Sequence, residues 1–164
     1  MKNRIVVLLV GTLASVLGLF AVSAPASAAT KLSQSAAASQ LSRAGITWSS
    51  SGGCTTRSNS TCTSFDQINQ STVSGAIHLR QVSGCAMNIT GGTEVGYASG
   101  TYSHYNGYKI DISHRTCTDN YIHNNFTHIG NRSGDNAPQW QSPAGNLYAD
   151  EGSHWDIVFY VCGC

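Results

Sequence analysis

The sequence predicts a single α+β domain, in which helices flank an antiparallel sheet. Apolar residues recur at helical spacing in residues 72–82, whereas they alternate with polar residues in 107–112 and 154–162, as in half-buried strands. These segments follow one another without the regular strand–helix–strand rhythm of a parallel sheet. The chain has no internal repeat and no long linker, so we expect one domain, held together by disulfides.

Residues 1–28 have the pattern of a secretory signal peptide. Lys2 and Arg4 precede an apolar stretch over residues 5–22, and the small residues at 26–28 form a cleavage site. Glycine and polar residues interrupt the apolar stretch, which disfavours the alternative of a membrane anchor. We therefore expect a secreted protein whose domain covers residues 29–164 and which has no membrane contact after cleavage.

Three helices are predicted along this domain, and each ends at or just before a glycine. Glycine readily adopts the left-handed conformation found at helix C-termini. They cover residues 33–44, 72–82 and 118–130, with Gly45, Gly84 and Gly130 at their ends. Thr118 or Asp119 is a suitable N-cap for the third helix, since either side chain can accept a hydrogen bond from a free backbone N–H group.

Five strands are predicted, at residues 85–90, 107–112, 139–141, 146–149 and 154–162. In the second, Ile110 and Ile112 share one face and Asp111 lies on the other, where a carboxylate can face a cleft rather than the core. In the last and strongest, His154 and Asp156 share a face. Residues 49–63 and 91–103 are rich in glycine and small polar residues and are predicted as loops.

The charges are nearly balanced, with nine Lys and Arg residues against eight Asp and Glu residues and no two basic residues adjacent. This composition argues against nucleic acid as a partner, and we expect a monomer.

All six cysteines follow the predicted signal peptide, and an even number in an oxidising compartment indicates disulfides. They are Cys54, Cys62, Cys85, Cys117, Cys162 and Cys164. Proximity in the sequence favours one pair within the loop over residues 49–63 and a second pair between the residues at 85 and 117. The last two cysteines stay open, because a bridge across one glycine is strained. They form a labile disulfide with each other or rearrange the other pairs.

Four polar residues in two short segments indicate a zinc site. His104 and Asp111 lie seven residues apart, and Glu151 and His154 follow, the first of them 40 residues after Asp111. Two imidazoles and one carboxylate supply three ligands to tetrahedral zinc and leave a fourth position for water, as in catalytic zinc sites. The remaining carboxylate, Glu151, is then free to transfer protons. We expect one Zn²⁺ per chain.

The same four residues resemble the D-alanyl-D-alanine carboxypeptidase and dipeptidase family of zinc peptidases. The His-x6-Asp and Glu-x-x-His segments of that family match residues 104–111 and 151–154, with Gly107 and Trp155 in familiar flanking positions. The resemblance covers residues 87–160 and implies the hedgehog/DD-peptidase fold.

The resemblance also implies roles for the individual residues. Zinc is bound by His104, Asp111 and His154, the catalytic base is Glu151, and the substrates are the stem peptides of peptidoglycan. The expected function is thus a secreted zinc metallopeptidase that acts as a carboxypeptidase or an endopeptidase on the cell wall. The alternative is a secreted binding module that keeps zinc on the same scaffold without catalysis.

One position departs from the family pattern. The family has a Ser-Gly-Tyr-Arg type of turn before the His-x6-Asp segment, and its arginine polarises the scissile carbonyl. Here the turn is residues 90–94 and ends in Glu94. The residues that could take the place of this arginine are Tyr97, Tyr102, Arg80, Arg115 and His114.

Three further residues are candidates for contact with a zinc ligand or with the substrate. Asp156 shares a strand face with His154 and could orient a ligand, although an exposed polar position is an equally good interpretation. Tyr102 lies on the approach to His104 and could line a peptide groove. His114 is close enough to Asp111 in the sequence to line the same cleft.

Overall fold

The computed structural model describes residues 29–163. The predicted signal peptide and Cys164 lie outside these residues. Within them the helices are α1, Gln34–Arg43, α2, Gln70–Ser83, and α3, Thr116–Asn125. The strands are β1, Lys31–Leu32, β2, Thr47–Trp48, β3, Ile68–Asn69, β4, Asn88–Gly91, β5, Lys109–Ser113, β6, Thr127–Asn131, β7, Pro138–Gln141, β8, Leu147–Asp150, and β9, His154–Val158. No helix in this part of the chain has the length and apolar character needed to span a membrane.

The first two helices begin and end close to where the sequence predicts. The hydroxyl group of Ser33 accepts a hydrogen bond from the backbone N–H of Ala36 and caps α1. Gly84 ends α2 with a φ of 67°, in the left-handed region, and its N–H donates to the carbonyl of Arg80. Local capping chemistry therefore accounts for both ends.

The third helix begins and ends earlier than predicted. Its N-cap is Arg115, not Thr118 or Asp119. It ends at Asn125, because Phe126 is already extended, and residues 127–131 form β6 instead of a last helical turn. This strand pairs antiparallel with β7, and Thr127 lies opposite Gln141. The prediction of a helix up to Gly130 was wrong, since pairing with β7 outweighs the local helical pattern.

Seven of the strands form one sheet in the order β2-β4-β5-β9-β8-β7-β6, and β1 and β3 form a separate pair. All neighbouring strands of the large sheet are antiparallel except β2 and β4, which are parallel. The sheet is therefore mixed, and the antiparallel prediction holds for its centre, where β5 and β9 pair along five residues.

The core lies on one face of this sheet. The apolar residues of the central strands that point to this face pack with buried residues of the three helices. The strand residues include Ile110, Ile112, Trp155 and Ile157, and the helix residues include Leu41, Val73, Leu79 and Ile122. Burying this face against helices leaves the polar residues of β5 and β9 on the opposite face.

Two disulfides confirm the pairs expected from sequence proximity. Cys54 pairs with Cys62 inside one loop, and Cys85, before β4, pairs with Cys117 in the first turn of α3. Such bonds are typical of an oxidising, extracellular environment. Cys162 is half-buried, and its pairing with Cys164 remains a prediction because Cys164 lies outside the described residues.

Candidate metal centre

Two buried aspartates from neighbouring strands form the floor of the site. Asp111 in β5 lies directly opposite Asp156 in β9 in the strand register. Residues in such a pair project from the same face of the sheet and have neighbouring side chains. Only 4% of Asp111 and 5% of Asp156 is exposed. The two carboxylates therefore meet on the face opposite the core.

His104 completes a cluster of three with these aspartates. It lies in the loop before β5 and is buried. Its Nδ1 lies 2.8 Å from the carbonyl oxygen of Gly92, which can only accept a hydrogen bond, so Nδ1 donates. Its Nε2 lies 3.3 Å from Oδ1 of Asp111 and 3.5 Å from Oδ1 of Asp156. The backbone thus selects the side of the ring that faces the carboxylates.

A tight turn carries the chain from His104 into β5. The N–H of Gly107 donates to the carbonyl of His104 over 2.7 Å, and Gly107 has a φ of 77°. A Cβ atom at this position would lie 2.6 Å from the carbonyl oxygen of Gln67. Only glycine combines this left-handed conformation with so close a backbone contact.

The three side chains fit a metal ion. Ligand atoms about 2.1 Å from a tetrahedral zinc ion are about 3.4 Å apart, close to the distances from His104 Nε2 to the two Oδ1 atoms. These Oδ1 atoms are buried and accept no hydrogen bond from the described residues, which is costly for a carboxylate unless a cation lies beside it. His104, Asp111 and Asp156 thus form a buried group that could hold a metal ion.

The electrostatics of the cluster also favour a cation. Burial alone lowers the pKa of His104, but the attraction of the Asp111 and Asp156 carboxylates for the protonated ring outweighs burial and raises this pKa to about 9. For Asp156, burial alone raises the pKa of the carboxyl group. Its contacts with His104 and Lys109 outweigh burial and hold that pKa well below its usual range. The cluster therefore attracts positive charge, which a proton on His104 supplies when no metal is bound.

His154 and Glu151 lie at the edge of this cluster. Nε2 of His154, at the start of β9, is 3.7 Å from Oδ1 of Asp111 and 3.2 Å from Oε2 of Glu151. Its Nδ1 lies 2.8 Å from the hydroxyl oxygen of Ser153. When Nδ1 donates to this hydroxyl, Nε2 keeps its lone pair for a ligand. The structure thus brings together the four residues of the predicted zinc site. It also places Asp156, which the sequence indicates only as a residue that could orient a ligand, directly beside His104.

Two cations complete the cleft. Nζ of Lys109 and Nη1 of Arg132 each lie 2.6 Å from Oδ2 of Asp156. Nη2 of Arg132 contacts Glu151 and Asp135, and its Nε donates to Asp135. Asp156 therefore turns Oδ2 to the cations and Oδ1 to the cluster. Arg132 could not be identified from the sequence, because it lies in a polar loop between β6 and β7 and reaches the cleft only through the fold.

Tyr97 covers one side of the cluster. Its ring stacks on His104, with a centroid distance of 3.7 Å and an angle of 14° between the planes. Its hydroxyl group lies 2.9 Å from Oδ2 of Asp111 and 3.1 Å from Oε1 of Glu94. Burial, and then these two carboxylates, raise the pKa of Tyr97 far above its usual value, so the phenol remains a hydrogen-bond donor.

Glu94, which stands where the resembled family has its arginine, has a structural role. The residue is 1% exposed, and its carboxylate accepts hydrogen bonds from the backbone N–H groups of Ser64 and Gly92. It holds two loops together beneath Tyr97. A carboxylate bound in this way cannot polarise a carbonyl group.

The cleft above the metal cluster has a volume of about 500 Å³, and Tyr97, His104, Lys109, Arg132, Glu151 and His154 contribute to its walls. The other residues considered from the sequence lie elsewhere. Tyr102 packs against Tyr108 and Tyr160. His114 packs against Trp155 and lies between Asp119 and Asp150, outside the cleft. Arg80 and Arg115 do not line the cleft either.

Comparisons of the chain with models of protein families, with curated proteins and with solved structures find no significant match.

Proposed function

We propose that the protein is a secreted zinc metallopeptidase that hydrolyses peptide bonds in the stem peptides of peptidoglycan. The observation that carries this proposal is the meeting, in one open cleft, of a histidine–aspartate metal cluster with a separate carboxylate, Glu151. Its disulfides suit the extracellular space in which this substrate is found.

His104, Asp111 and His154 would hold the metal in this proposal. Two imidazoles and one carboxylate are a common ligand set of catalytic zinc. Asp156 is a weaker candidate for a metal ligand than His154, because Lys109 and Arg132 already neutralise its negative charge. Three protein ligands leave one position open for water or substrate. Bound zinc supplies Lewis acidity, which lowers the pKa of water and polarises a carbonyl group.

Glu151 transfers the proton. It lies beside His154, and Arg132 holds one of its oxygens, so that the other faces the cluster. It accepts a proton from the attacking water and passes this proton to the leaving amine. In this proposal Arg132 and Lys109, which line the cleft, stabilise the negative charge that develops on the carbonyl oxygen. Arg132 thereby supplies the cation that the turn ending at Glu94 lacks.

The test separates metal binding from hydrolysis. The Glu151→Gln variant should bind zinc as the wild type does but lose at least a hundredfold in the release of D-alanine or new amino groups from purified peptidoglycan. Asp66→Asn is the control, because Asp66 does not line the cleft. Full turnover by Glu151→Gln would remove this residue from the mechanism, and a wild-type protein that binds no zinc would end the proposal.

One observation favours a second function, that of a non-catalytic binding module. If Asp156 binds the metal together with His104, Asp111 and His154, four protein ligands close the coordination shell, as in structural zinc sites. The protein would then bind zinc and leave peptidoglycan intact.

A further inference from the structure

One tyrosine touches two of the proposed ligands at once. The ring of Tyr97 lies flat on the imidazole of His104, and its hydroxyl group reaches Oδ2 of Asp111. No part of the proposed reaction uses this side chain. Its position between the ligands and the loop suggests that it controls the arrangement of the metal centre.

The hydroxyl group has one proton and two carboxylate neighbours, Asp111 and Glu94. Glu94 already accepts hydrogen bonds from the N–H groups of Ser64 and Gly92. Among the described residues, Tyr97 is the hydrogen-bond donor that reaches Oδ2 of Asp111, and Oδ1 of the same carboxylate has none. The phenol proton therefore stabilises Asp111 more than Glu94.

The backbone around this contact leaves no room for an alternative. A Cβ atom on Gly91 would lie 2.1 Å from the hydroxyl oxygen of Tyr97 and 2.2 Å from Oδ2 of Asp111. Since Gly91 pairs with Asp111 across β4 and β5, the missing side chain at this position creates the space in which the two groups meet. The close contact is thus built by three separate segments of the chain.

We propose that Tyr97 is a positioning residue of the metal centre, which fixes the ring plane of His104 by stacking and the carboxylate of Asp111 by a hydrogen bond. This inference rests on the proposed function only for the presence of the metal. Partners that orient metal ligands in this way commonly contribute 10- to 100-fold to metal affinity.

The two contacts can be removed separately. Tyr97→Phe keeps the ring on His104 and removes the hydrogen bond to Asp111, whereas Tyr97→Leu removes both. Gly91→Ala keeps the tyrosine but brings a methyl group against both its hydroxyl group and the carboxylate of Asp111, so it disturbs the two groups together. The matched control is Tyr102→Phe, because Tyr102 is a tyrosine of the same loop that contacts Tyr108 and Tyr160 but no proposed ligand.

The measurement is zinc affinity, by competition with a chromophoric chelator, together with the visible spectrum of the Co²⁺-substituted protein. We expect Tyr97→Phe and Gly91→Ala to bind zinc about 10 to 100 times more weakly than the wild type, Tyr97→Leu to be weaker than Tyr97→Phe, and Tyr102→Phe to bind within twofold of the wild type. The Co²⁺ band should shift in the Tyr97 variants, because the ligand arrangement changes.

The unfolding free energy of the metal-free variants completes the test. A merely structural role would lower this free energy and leave the affinity and the Co²⁺ spectrum of the folded protein unchanged, and that result would overturn the inference. Zinc affinity of Tyr97→Phe within threefold of the wild type would do the same while the proposed function stands. Absence of zinc binding by the wild type would refute both.

Discussion

Replacing Asp156 by asparagine distinguishes the two possible ligand sets of the metal centre. The sequence favours His104, Asp111 and His154, whereas the group of possible metal ligands that the described residues bring together is His104, Asp111 and Asp156. Asparagine has nearly the shape of aspartate, but it lacks the charge that makes a carboxylate oxygen a good zinc ligand. The zinc affinity of Asp156→Asn, compared with that of His154→Gln, therefore shows which residue is a ligand.

The distances alone do not separate the candidates. Oδ1 of Asp156 lies 3.5 Å from Nε2 of His104, and Nε2 of His154 lies 3.7 Å from Oδ1 of Asp111. Both are near the spacing of about 3.4 Å between ligands of tetrahedral zinc. The charges do separate them, because Oδ2 of Asp156 contacts two cations at 2.6 Å. Within residues 29–163, the polar side-chain contacts of His154 are with Asp111, Glu151 and Ser153, none of which is a cation.

These observations give an expected magnitude for each variant. Structural zinc binds with about 10 to 16 kcal/mol over four ligands, so losing one ligand costs about 2.5 to 4 kcal/mol, or a factor of roughly 60 to 700 in affinity. A residue that only adjoins the ligands contributes about 10- to 100-fold. The two cations already offset the charge of Asp156, so we expect about tenfold for Asp156→Asn and several hundredfold for His154→Gln.

The assay is competitive zinc titration of both variants, with Asp66→Asn as a control outside the cleft. The Co²⁺-substituted protein gives a second readout, since loss of an imidazole ligand changes its visible spectrum. If Asp156→Asn weakens zinc binding as much as His154→Gln or more, Asp156 is a ligand and the reasoning from its cation contacts is refuted. Equal, severe losses in both variants would indicate a closed site with four ligands.

Two further predictions concern stability. The raised pKa of His104, about 9 against an ordinary 6.5, stabilises the metal-free protein fully below pH 6.5, and this contribution is lost as the pH rises through 9. The melting temperature of the metal-free protein should therefore fall between pH 6.5 and pH 9, and a rise would contradict this reasoning. Over the same range zinc affinity should increase by up to about tenfold per pH unit, because zinc binding displaces the proton. Replacing both Cys85 and Cys117 by serine removes a disulfide between residues 32 apart in the sequence. The unfolding free energy, measured by urea denaturation, should fall by about 3 to 4 kcal/mol, because the unfolded chain gains loop entropy. A loss below about 1 kcal/mol would contradict this estimate.

Features set by neighbouring residues could be predicted from the sequence. Ser33 and Gly84 mark helix ends through contacts with the next or the preceding turn. The alternation around Asp111 places it opposite the core because successive strand residues point to opposite faces. Cys54 and Cys62 are close enough in the chain to meet within one loop. In each case the decisive interaction lies within about ten residues.

Features set by the register and placement of distant strands could not be predicted. The pairing of Asp111 with Asp156 depends on the register of β5 and β9, and a shift of one residue would place one of the two carboxylates on the core face. Arg132 reaches the cleft because β6 and β7 lie at one side of the large sheet. The pattern of apolar residues in β6 predicts a helix, but these residues form a strand because they pair with β7. The sequence therefore identified ligand types and missed the charges around them.

The charges of the whole cleft support a divalent ion independently of the ligand distances. Four carboxylates and two cations line it: Asp111, Asp135, Glu151 and Asp156, with Lys109 and Arg132. This leaves two negative charges. Asp111, whose charged or titratable partners among the described residues are His104 and His154, carries one of them. The other is shared among Asp135, Glu151 and Asp156, which surround Lys109 and Arg132. A proton on His104 offsets one of them, whereas a divalent metal ion offsets both and also satisfies the free Oδ1 atoms. The cations therefore do not weaken the case for a metal, because without them the cleft would carry more negative charge than one metal ion could balance.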